Sequence, residues 1–222
     1  MRKLFFTVVL AASFSSLGQE IDRMNNRYLI KLTPTQMTVG EINLGFEYRV
    51  ANHSSLELTL GPTISNLGSQ TSQVDYDIVP PGYLNQYAIQ RSALGFFGAL
   101  EYRFYPLTYA NAPRGLYLAP SVKYRVYNTN VSDNSHILPD TKNERSEFMF
   151  RLNFGYQFWL TDQFALDLFS GIGLMVDDRT SNYISAEYDE FGMPIEQTNW
   201  TTSKNSNPRI TATMGVKVGI GR

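Results

Sequence analysis

Residues 40–50 read GEINLGFEYRV, and this stretch decides the fold class. Its even positions are isoleucine, leucine, phenylalanine, tyrosine and valine, whereas its odd positions are mostly charged or polar. Strict alternation with a period of two predicts a β-strand with one apolar face and one charged face. In a soluble sheet the charged face would contact water. In an outer-membrane barrel the apolar face would contact lipid and the charges would line the lumen.

Seven further segments alternate in the same way, so the sequence predicts eight strands. These cover residues 28–37, 40–50, 55–65, 92–105, 116–127, 148–160, 164–176 and 209–220. The first is weak, because Pro34 interrupts it. Most of the others are longer than the usual strand of about 5–6 residues and match the ~9–11 residues that cross a bilayer. The predicted fold is therefore an all-β, eight-stranded, antiparallel up-and-down transmembrane β-barrel.

The connections between these segments alternate in length. Short connections lie at residues 51–54, 106–115 and 161–163, and long ones at 66–91, 128–147 and 177–208. An even-stranded barrel with both chain ends in the periplasm has short periplasmic turns and longer extracellular loops. The alternation therefore favours an outer-membrane barrel and predicts that the long connections are extracellular.

The charged side chains of the eight segments share one face. They are Lys31, Glu41, Glu47, Arg49, Glu57, Glu101, Arg103, Lys123, Arg125, Arg151, Asp167 and Lys217. Eight strands leave a lumen just wide enough for side chains, so these charges are expected to pair inside it. A soluble lipocalin-like cup is the alternative, but the opposite face is too bulky for its interior. Tyrosines near the strand ends suit an interface girdle; they are Tyr28, Tyr48, Tyr102, Tyr124 and Tyr156.

Residues 1–18 have the features of a secretory signal peptide. Arg2 and Lys3 precede an apolar run at residues 4–14, and Ser16 and Gly18 occupy the −3 and −1 positions of a cleavage site. The run is about half of the ~20 residues that a spanning helix needs. We therefore expect residues 19–222 to form the barrel domain. The absence of cysteine excludes a lipoprotein signal and disulfides, and a net charge of −1 gives no indication of nucleic acid binding.

The run GEINLGFEYRVANHSSLELTLGP at residues 40–62 resembles the early hairpin of small outer-membrane β-barrel proteins of Bacteroidota. That group is largely of unknown function. The predicted topology is also similar to the eight-stranded OmpA/OmpX class. Many barrels of that class end in an aromatic residue, whereas this sequence ends VGIGR. The resemblance implies a fold and a location, but it supplies no functional site.

No catalytic, cofactor-binding or metal-binding residue is predicted. His53 and His136 have no partners at metal-ligand spacing. Ser135 and His136, with Glu144 nearby, would suit a lipid hydrolase only if their side chains met in a catalytic geometry, which adjacent residues of one loop rarely do. The lumen charges favour a space-filling salt-bridge network over a proton relay or pore. Gly171 and Gly173 are expected to make room for large neighbours inside the barrel.

The long connections carry acidic and aromatic residues. The acids of the last connection are Asp177, Asp178, Glu187, Asp189, Glu190 and Glu196, and its aromatics are Tyr183, Tyr188, Phe191 and Trp200. Tyr76, Tyr83 and Tyr87 occur in the first long connection. These side chains either contact an extracellular partner or glycan or order the loops. The expectation is a monomeric, non-enzymatic outer-membrane protein; the alternatives are an enzyme acting on lipid or peptide at the loop mouth and a narrow channel.

Overall fold

Eight antiparallel strands form one closed barrel in the computed structural model, which describes residues 26–64, 88–107, 111–133, 139–188 and 194–222. Each strand pairs with the next, and β1 pairs with β8. The strands are β1 Tyr28–Leu32, β2 Leu44–Ala51, β3 Ser54–Ile64, β4 Ala88–Phe104, β5 Gly115–Asp133, β6 Thr141–Trp159, β7 Phe164–Tyr188 and β8 Pro194–Gly221. The predicted all-β, eight-stranded up-and-down architecture is confirmed. The predicted signal peptide lies outside the described residues.

The two faces of the wall have the predicted orientation. Successive side chains of a strand point to opposite sides of the sheet, and here the apolar ones point outward. Phe148, Phe150, Leu152 and Phe154 of β6 are between 43% and 54% exposed. On the other strands, charged residues alternate with outward apolar residues. Two of these charged residues, Glu47 and Arg103, are fully buried. The charges are therefore the core of this barrel, and its exterior is an apolar band.

Four strands continue well beyond their predicted ends. β5 reaches Asp133, β6 begins at Thr141, and β7 and β8 form a hairpin between Phe164 and Gly221. The prediction of a long loop at 177–208 is wrong, because most of it is strand. Beyond Val176 both faces of β7 are largely polar, so the alternation that indicates a half-buried strand disappears there. We call this end of the barrel the hairpin end, and the opposite end, with its short connections, the turn end.

The first predicted segment is also corrected. β1 ends at Leu32, and residues 34–39 form a 3₁₀ helix, Pro34–Val39, which we call the seam helix. Proline has no N–H to donate to a ladder, so it ends the strand. Within the described residues, no helix is of a length and apolarity that could cross a membrane.

The seam helix lies where β1 no longer covers the edge of β8. β1 pairs with β8 only as far as Leu32 and Val218. Above that pair, the Val216 N–H donates to the Thr35 hydroxyl at 3.2 Å, and the Tyr127 hydroxyl donates to the Val39 carbonyl at 2.8 Å. These bonds fix the helix against the barrel wall.

Gly40 turns the chain from the seam helix towards β2. Its φ of 79° lies in the left-handed region, and its carbonyl accepts a hydrogen bond from the Ile64 N–H at 2.8 Å. A Cβ at this position would collide with the Ile64 carbonyl. The backbone conformation and the close approach of β3 therefore both favour glycine here.

The outward tyrosines lie mainly at the turn end. Tyr28 and Tyr48 are direct partners across β1 and β2. Tyr102 and Tyr156 lie within three residues of the turn ends of β4 and β6. Tyr124 is nearer the hairpin end, where it pairs with Phe148. All five are between 41% and 46% exposed, so the apolar band is flanked by tyrosines, four of them at the turn end.

Candidate functional site

Two layers of ion pairs fill the lumen. The first, near the turn end, is the base layer; it comprises Lys31, Glu47, Glu57, Glu101, Arg103, Asp167 and Lys217. The second, towards the hairpin end, is the rim layer; it comprises Glu41, Lys123, Arg125, Arg145, Glu147, Asp177, Arg179 and Arg209. These side chains occupy inward positions on the eight strands and on the segment before β2.

Lys31 lies at the centre of the base layer. Its ammonium contacts Glu47, lies 3.1 Å from both Glu57 and Asp167, and donates to the amide oxygen of Gln157 at 2.7 Å. The four partners come from β2, β3, β6 and β7. One side chain on the short β1 therefore connects strands from all sides of the lumen.

Arg103 is the second centre of the base layer, and it is completely buried. Its guanidinium lies 2.6 Å from Glu101, 2.7 Å from Glu57 and 2.8 Å from Asp167. It also lies over the ring of Tyr117, 4.3 Å from its centroid. The charge thus has carboxylates around its edge and an aromatic face beside it, an arrangement that compensates a buried cation.

Hydroxyl groups complete the base layer. Tyr117 donates to Asp167 at 2.8 Å and Tyr105 donates to Glu47 at 2.8 Å. Lys217 adds a contact to Glu57 at 2.6 Å. Side chains of the seven charged residues are at most 10% exposed. The base layer is therefore buried inside the barrel, in agreement with the predicted salt-bridge network.

A polar cavity of about 40 Å³ lies between the two layers. Arg151 lines it, and its Nε has no hydrogen-bond partner among the described residues. Asn43 and Asn153 line the same cavity, and their side-chain oxygens also have no described partner. A space of this size accommodates water.

Gly171 and Gly173 have the predicted role beside this cavity. A Cβ at Gly171 would collide with the side-chain oxygen of Asn153, and one at Gly173 would lie 2.6 Å from Cγ of Arg151. The two glycines on β7 therefore leave space for two long polar side chains of β6.

Glu41 organises the side of the rim layer that faces the seam helix. Lys123 lies 2.6 Å and Arg125 2.8 Å from its carboxylate, and Arg125 also contacts Glu147. Glu41 therefore pairs inside the lumen, as expected for these charges. Glu47 instead pairs with Lys31. Arg49 donates to the Ala112 carbonyl at 3.5 Å.

Three arginines converge on Asp177 at the hairpin end of the lumen; we call Arg145, Asp177, Arg179 and Arg209 the rim cluster. Arg145 lies 3.0 Å, Arg179 3.0 Å and Arg209 2.7 Å from the carboxylate of Asp177. Side-chain exposures are 24%, 25% and 42% for the three arginines but only 3% for Asp177. The three cations are therefore more accessible from the mouth than the acid that they share.

The two layers differ in charge balance. The base layer has three cations and four carboxylates, whereas the rim layer has five cations and three carboxylates. Arg151, between the layers, adds a further cation with no carboxylate within salt-bridge distance among the described residues. Among these lumen residues, positive charge is consequently in excess towards the hairpin end.

The sequence pattern does not predict the rim cluster. Arg145, Asp177 and Arg179 fall in predicted loops, and Arg209 stands at the start of the last predicted strand with no assigned role. One signal could have predicted most of the cluster, namely the period of two at inward, odd-numbered positions. It continues beyond Phe148 and Val176 at Arg145, Glu147, Asp177 and Arg179.

The structure describes only one of the two histidines, His53. His53 lies in the β2–β3 turn, where its carbonyl accepts a hydrogen bond from the Tyr105 N–H at 2.8 Å. Ser135 and His136 lie outside the described residues, and so do Tyr76, Tyr83, Tyr87, Asp189, Glu190 and Phe191. No group of three or more candidate metal ligands occurs in the described part of the chain.

The remaining residues of the last predicted loop lie on the β7–β8 hairpin. Tyr183, Glu187, Tyr188, Glu196 and Trp200 are all strand residues. The indole N–H of Trp200 donates to the Pro139 carbonyl at 2.8 Å. This bond ties the hairpin to the segment before β6, so at least one of the loop aromatics has a structural contact.

These features define a class of protein: a small, closed, antiparallel barrel with an apolar exterior and a lumen filled by ion pairs. The chain belongs to the DUF3575 family of proteins of unknown function, whose family model matches residues 4–218. No curated protein matches the chain, and no solved structure does. The family establishes kinship over nearly the whole chain but assigns no activity.

Proposed function

We propose that this protein is a non-enzymatic β-barrel of the Gram-negative outer membrane that supports the envelope or binds a partner or ligand at its hairpin end. The observation that carries the proposal is the inversion of the two faces, with apolar side chains outside and ion pairs inside. Alternation of apolar-out and polar-in positions is characteristic of outer-membrane barrels. A soluble barrel would have the opposite arrangement.

The apolar exterior extends around the whole wall. Every strand contributes outward side chains that are half exposed, among them Ile30, Leu58, Leu100, Phe150 and Ile210. Monomeric soluble proteins rarely expose contiguous apolar patches larger than a few hundred Å². A lipid environment removes this cost, and the closed ladder between β1 and β8 satisfies most of the backbone groups there.

The unequal ends of the barrel support an orientation. The turn end has the compact connections at Asn52–His53 and residues 160–163, together with both described chain ends. The hairpin end carries β5–β6 and β7–β8 beyond the apolar band. Short periplasmic turns and long extracellular extensions are the usual arrangement. We propose that the hairpin end is extracellular and offers the surface for a partner or glycan.

The finer assignment rests on the sequence. The resemblance of residues 40–62 supports a small outer-membrane barrel of Bacteroidota with OmpA/OmpX-like topology. The pattern at residues 1–18 supports export, with a mature chain that begins at Gln19. The closed barrel with its own ion-pair core supports a monomer.

Cysteine labelling in cells tests location and orientation together. The natural chain has no cysteine, so Lys204→Cys on the hairpin and Asp162→Cys in the β6–β7 turn each create a single label site. Both positions are exposed. A membrane-impermeant maleimide should label Lys204→Cys in intact cells, and Asp162→Cys only after the outer membrane is permeabilised.

Each other outcome contradicts a defined part of the proposal. Labelling of Asp162→Cys alone in intact cells reverses the orientation. Recovery of the protein without detergent in the soluble fraction overturns the membrane location. Heat-modifiable migration of the purified chain in detergent is the independent control for a folded barrel.

The two alternatives have their own readouts. Steady single-channel conductance in a planar bilayer would favour the narrow channel, against which the base layer argues. Modification of lipid by the purified protein that disappears in His136→Ala would favour the enzyme. Recovery of one outer-membrane or extracellular partner that requires the hairpin residues would support binding.

A further inference from the structure

We propose that the rim cluster binds a phosphate group at the mouth of the barrel, through Arg145, Arg179 and Arg209. The proposal deepens the proposed function by naming the ligand chemistry; it rests on that function only for the extracellular position of the mouth. The binding itself follows from the geometry and charge of the cluster.

In the rim cluster, the donors of three arginines converge on one acceptor, the carboxylate of Asp177. Arg145 donates to Asp177 at 3.0 and 3.2 Å, Arg179 at 3.1 and 3.0 Å, and Arg209 at 2.7 Å. Four of these five bonds reach the same oxygen, Oδ2. A carboxylate offers about four lone-pair sites in all, whereas three guanidinium groups carry about fifteen N–H donors. Asp177 therefore accepts only some of the donors that these arginines carry; Arg145 also contacts Glu147 at 2.7 Å.

The like charges of the rim cluster repel each other. Arg145 and Arg179 are direct partners in the register of β6 and β7, with their side chains on the same face. Like charges directly opposite each other on a sheet are destabilising. Two acids, Asp177 and Glu147, lie within salt-bridge distance of both Arg145 and Arg209. An added dianion would relieve the repulsion.

The arginines of the rim cluster are accessible from the mouth of the barrel. Arg209 is 42% exposed, and the other two arginines are about a quarter exposed. In the register of β7 and β8, Arg209 lies opposite Met175, and Arg179 lies three positions beyond Val176, so the cluster spans the hairpin-end limit of the apolar band. A ligand can therefore reach the guanidinium groups from the mouth, whereas the base layer is sealed.

Phosphate fits this arrangement better than a monovalent anion. Guanidinium groups bind phosphate through pairs of parallel N–H···O bonds, and a phosphate monoester brings three terminal oxygens and a charge close to −2 near neutral pH. Two sources share this chemistry: a soluble phosphorylated molecule, and the phosphate of a lipid headgroup, whose level in the membrane matches the limit of the apolar band.

Titration calorimetry with inorganic phosphate tests the site in the full chain, held in an uncharged detergent at constant ionic strength. The wild type should bind phosphate. Arg209→Gln should weaken binding by about tenfold or more, as expected for loss of one charge-assisted contact. Lys204→Gln is the matched control, because it removes one cation from the outward face of the same strand; its affinity should stay within about twofold.

Two results would overturn the proposal. One is the absence of phosphate binding by the folded wild type. The other is an equal loss of affinity in Lys204→Gln and Arg209→Gln, which would indicate general surface charge. Heat-modifiable migration of each variant checks folding separately from binding. If Arg209→Gln does not fold, Arg209→Lys keeps the charge but loses the planar fork, and its affinity should still fall.

Reconstitution distinguishes the two sources. In vesicles of phosphatidylcholine with phosphatidic acid, a lipid ligand should compete with inorganic phosphate and lower its apparent affinity relative to vesicles of phosphatidylcholine alone. The same affinity in both vesicles assigns the site to a soluble phosphorylated ligand. These arms retain their meaning even if the cellular orientation proves to be reversed, so failure of binding and failure of the proposed function are separable.

Discussion

The base layer and the rim cluster are built from the same residue types but have opposite properties. In the base layer, Arg103 is fully buried and lies among three carboxylates from β3, β4 and β7. In the rim cluster, Asp177 is the buried group and three partly exposed arginines share it. In the base layer, carboxylates surround the cation of Arg103, whereas in the rim cluster three arginines surround the carboxylate of Asp177.

This difference indicates different roles. A buried charge is tolerated when its partners and hydrogen bonds offset the loss of hydration, and the base layer meets that condition. An exposed pair contributes little to stability, so an excess of arginine at the mouth is poorly explained by folding alone. The comparison therefore favours a structural role for the base layer and supports the binding role proposed for the rim cluster.

The largest expected effect is the loss of the central base-layer cation. Arg103→Met keeps much of the side-chain length but leaves Glu57, Glu101 and Asp167 without one shared partner. Breaking a buried ion pair from one side costs about 3–5 kcal/mol. We expect the free energy of unfolding in urea, measured in detergent micelles or vesicles, to fall by that amount.

The control for this change is at the rim. Arg209→Met removes the same charge from a position that is 42% exposed, and it should have a much smaller effect on the same unfolding curve. Equal losses in the two variants would mean that both layers are structural.

A charge on the outer face tests the surroundings of the apolar band. Leu152 lies near the middle of the outward face of β6 and is 43% exposed. Leu152→Arg should lower the free energy of unfolding in a bilayer by about 2–4 kcal/mol, as for a cation at the membrane midplane.

Leu160, at the turn end beyond β6, provides the matched position. Leu160→Arg should cost only about 0–1 kcal/mol, because it is near the interface. Similar small costs at both positions would contradict a lipid-facing exterior.

The barrel wall was predictable because the alternation of apolar and charged residues is strict where one face is apolar. GEINLGFEYRV at residues 40–50 predicted both the strand and its inward charges, and the structure confirms that Glu41 and Glu47 are buried. That Glu41 pairs with a cation was also predictable, since the inward face of the strands carries charges of both signs. Local pattern and global fold agree in this part of the chain.

The seam helix and the rim cluster were not predictable in the same way. Pro34 indicated an interruption, but whether the chain then forms a loop or a helix depends on contacts with Val216 and Tyr127, which are distant in sequence. The rim strands have polar residues on both faces, so they lack the apolar stripe that identifies a half-buried strand. Only the pairing of β6, β7 and β8 brings the three arginines together.

An intermediate effect is expected from the space between the layers. Gly173→Ala would place a Cβ against Arg151 and the Phe150 carbonyl, and overpacking of this kind costs about 1–3 kcal/mol. Gly98→Ala is the matched control, because its Cβ would meet only the end of the Leu60 side chain at 3.3 Å. Urea unfolding of both variants should show a loss at Gly173 alone.

The smallest expected effect is the most informative about the rim cluster. Arg209→Gln should change the free energy of unfolding by less than about 1 kcal/mol, because an exposed ion pair contributes little and Arg145 and Arg179 still neutralise Asp177. Measured without phosphate, its urea midpoint should nearly equal that of the wild type. Added phosphate should then raise the wild-type midpoint more than that of the variant, since a ligand stabilises the state that binds it. A large loss without phosphate would instead make Arg209 a structural residue, and the distinction between the two layers would fail.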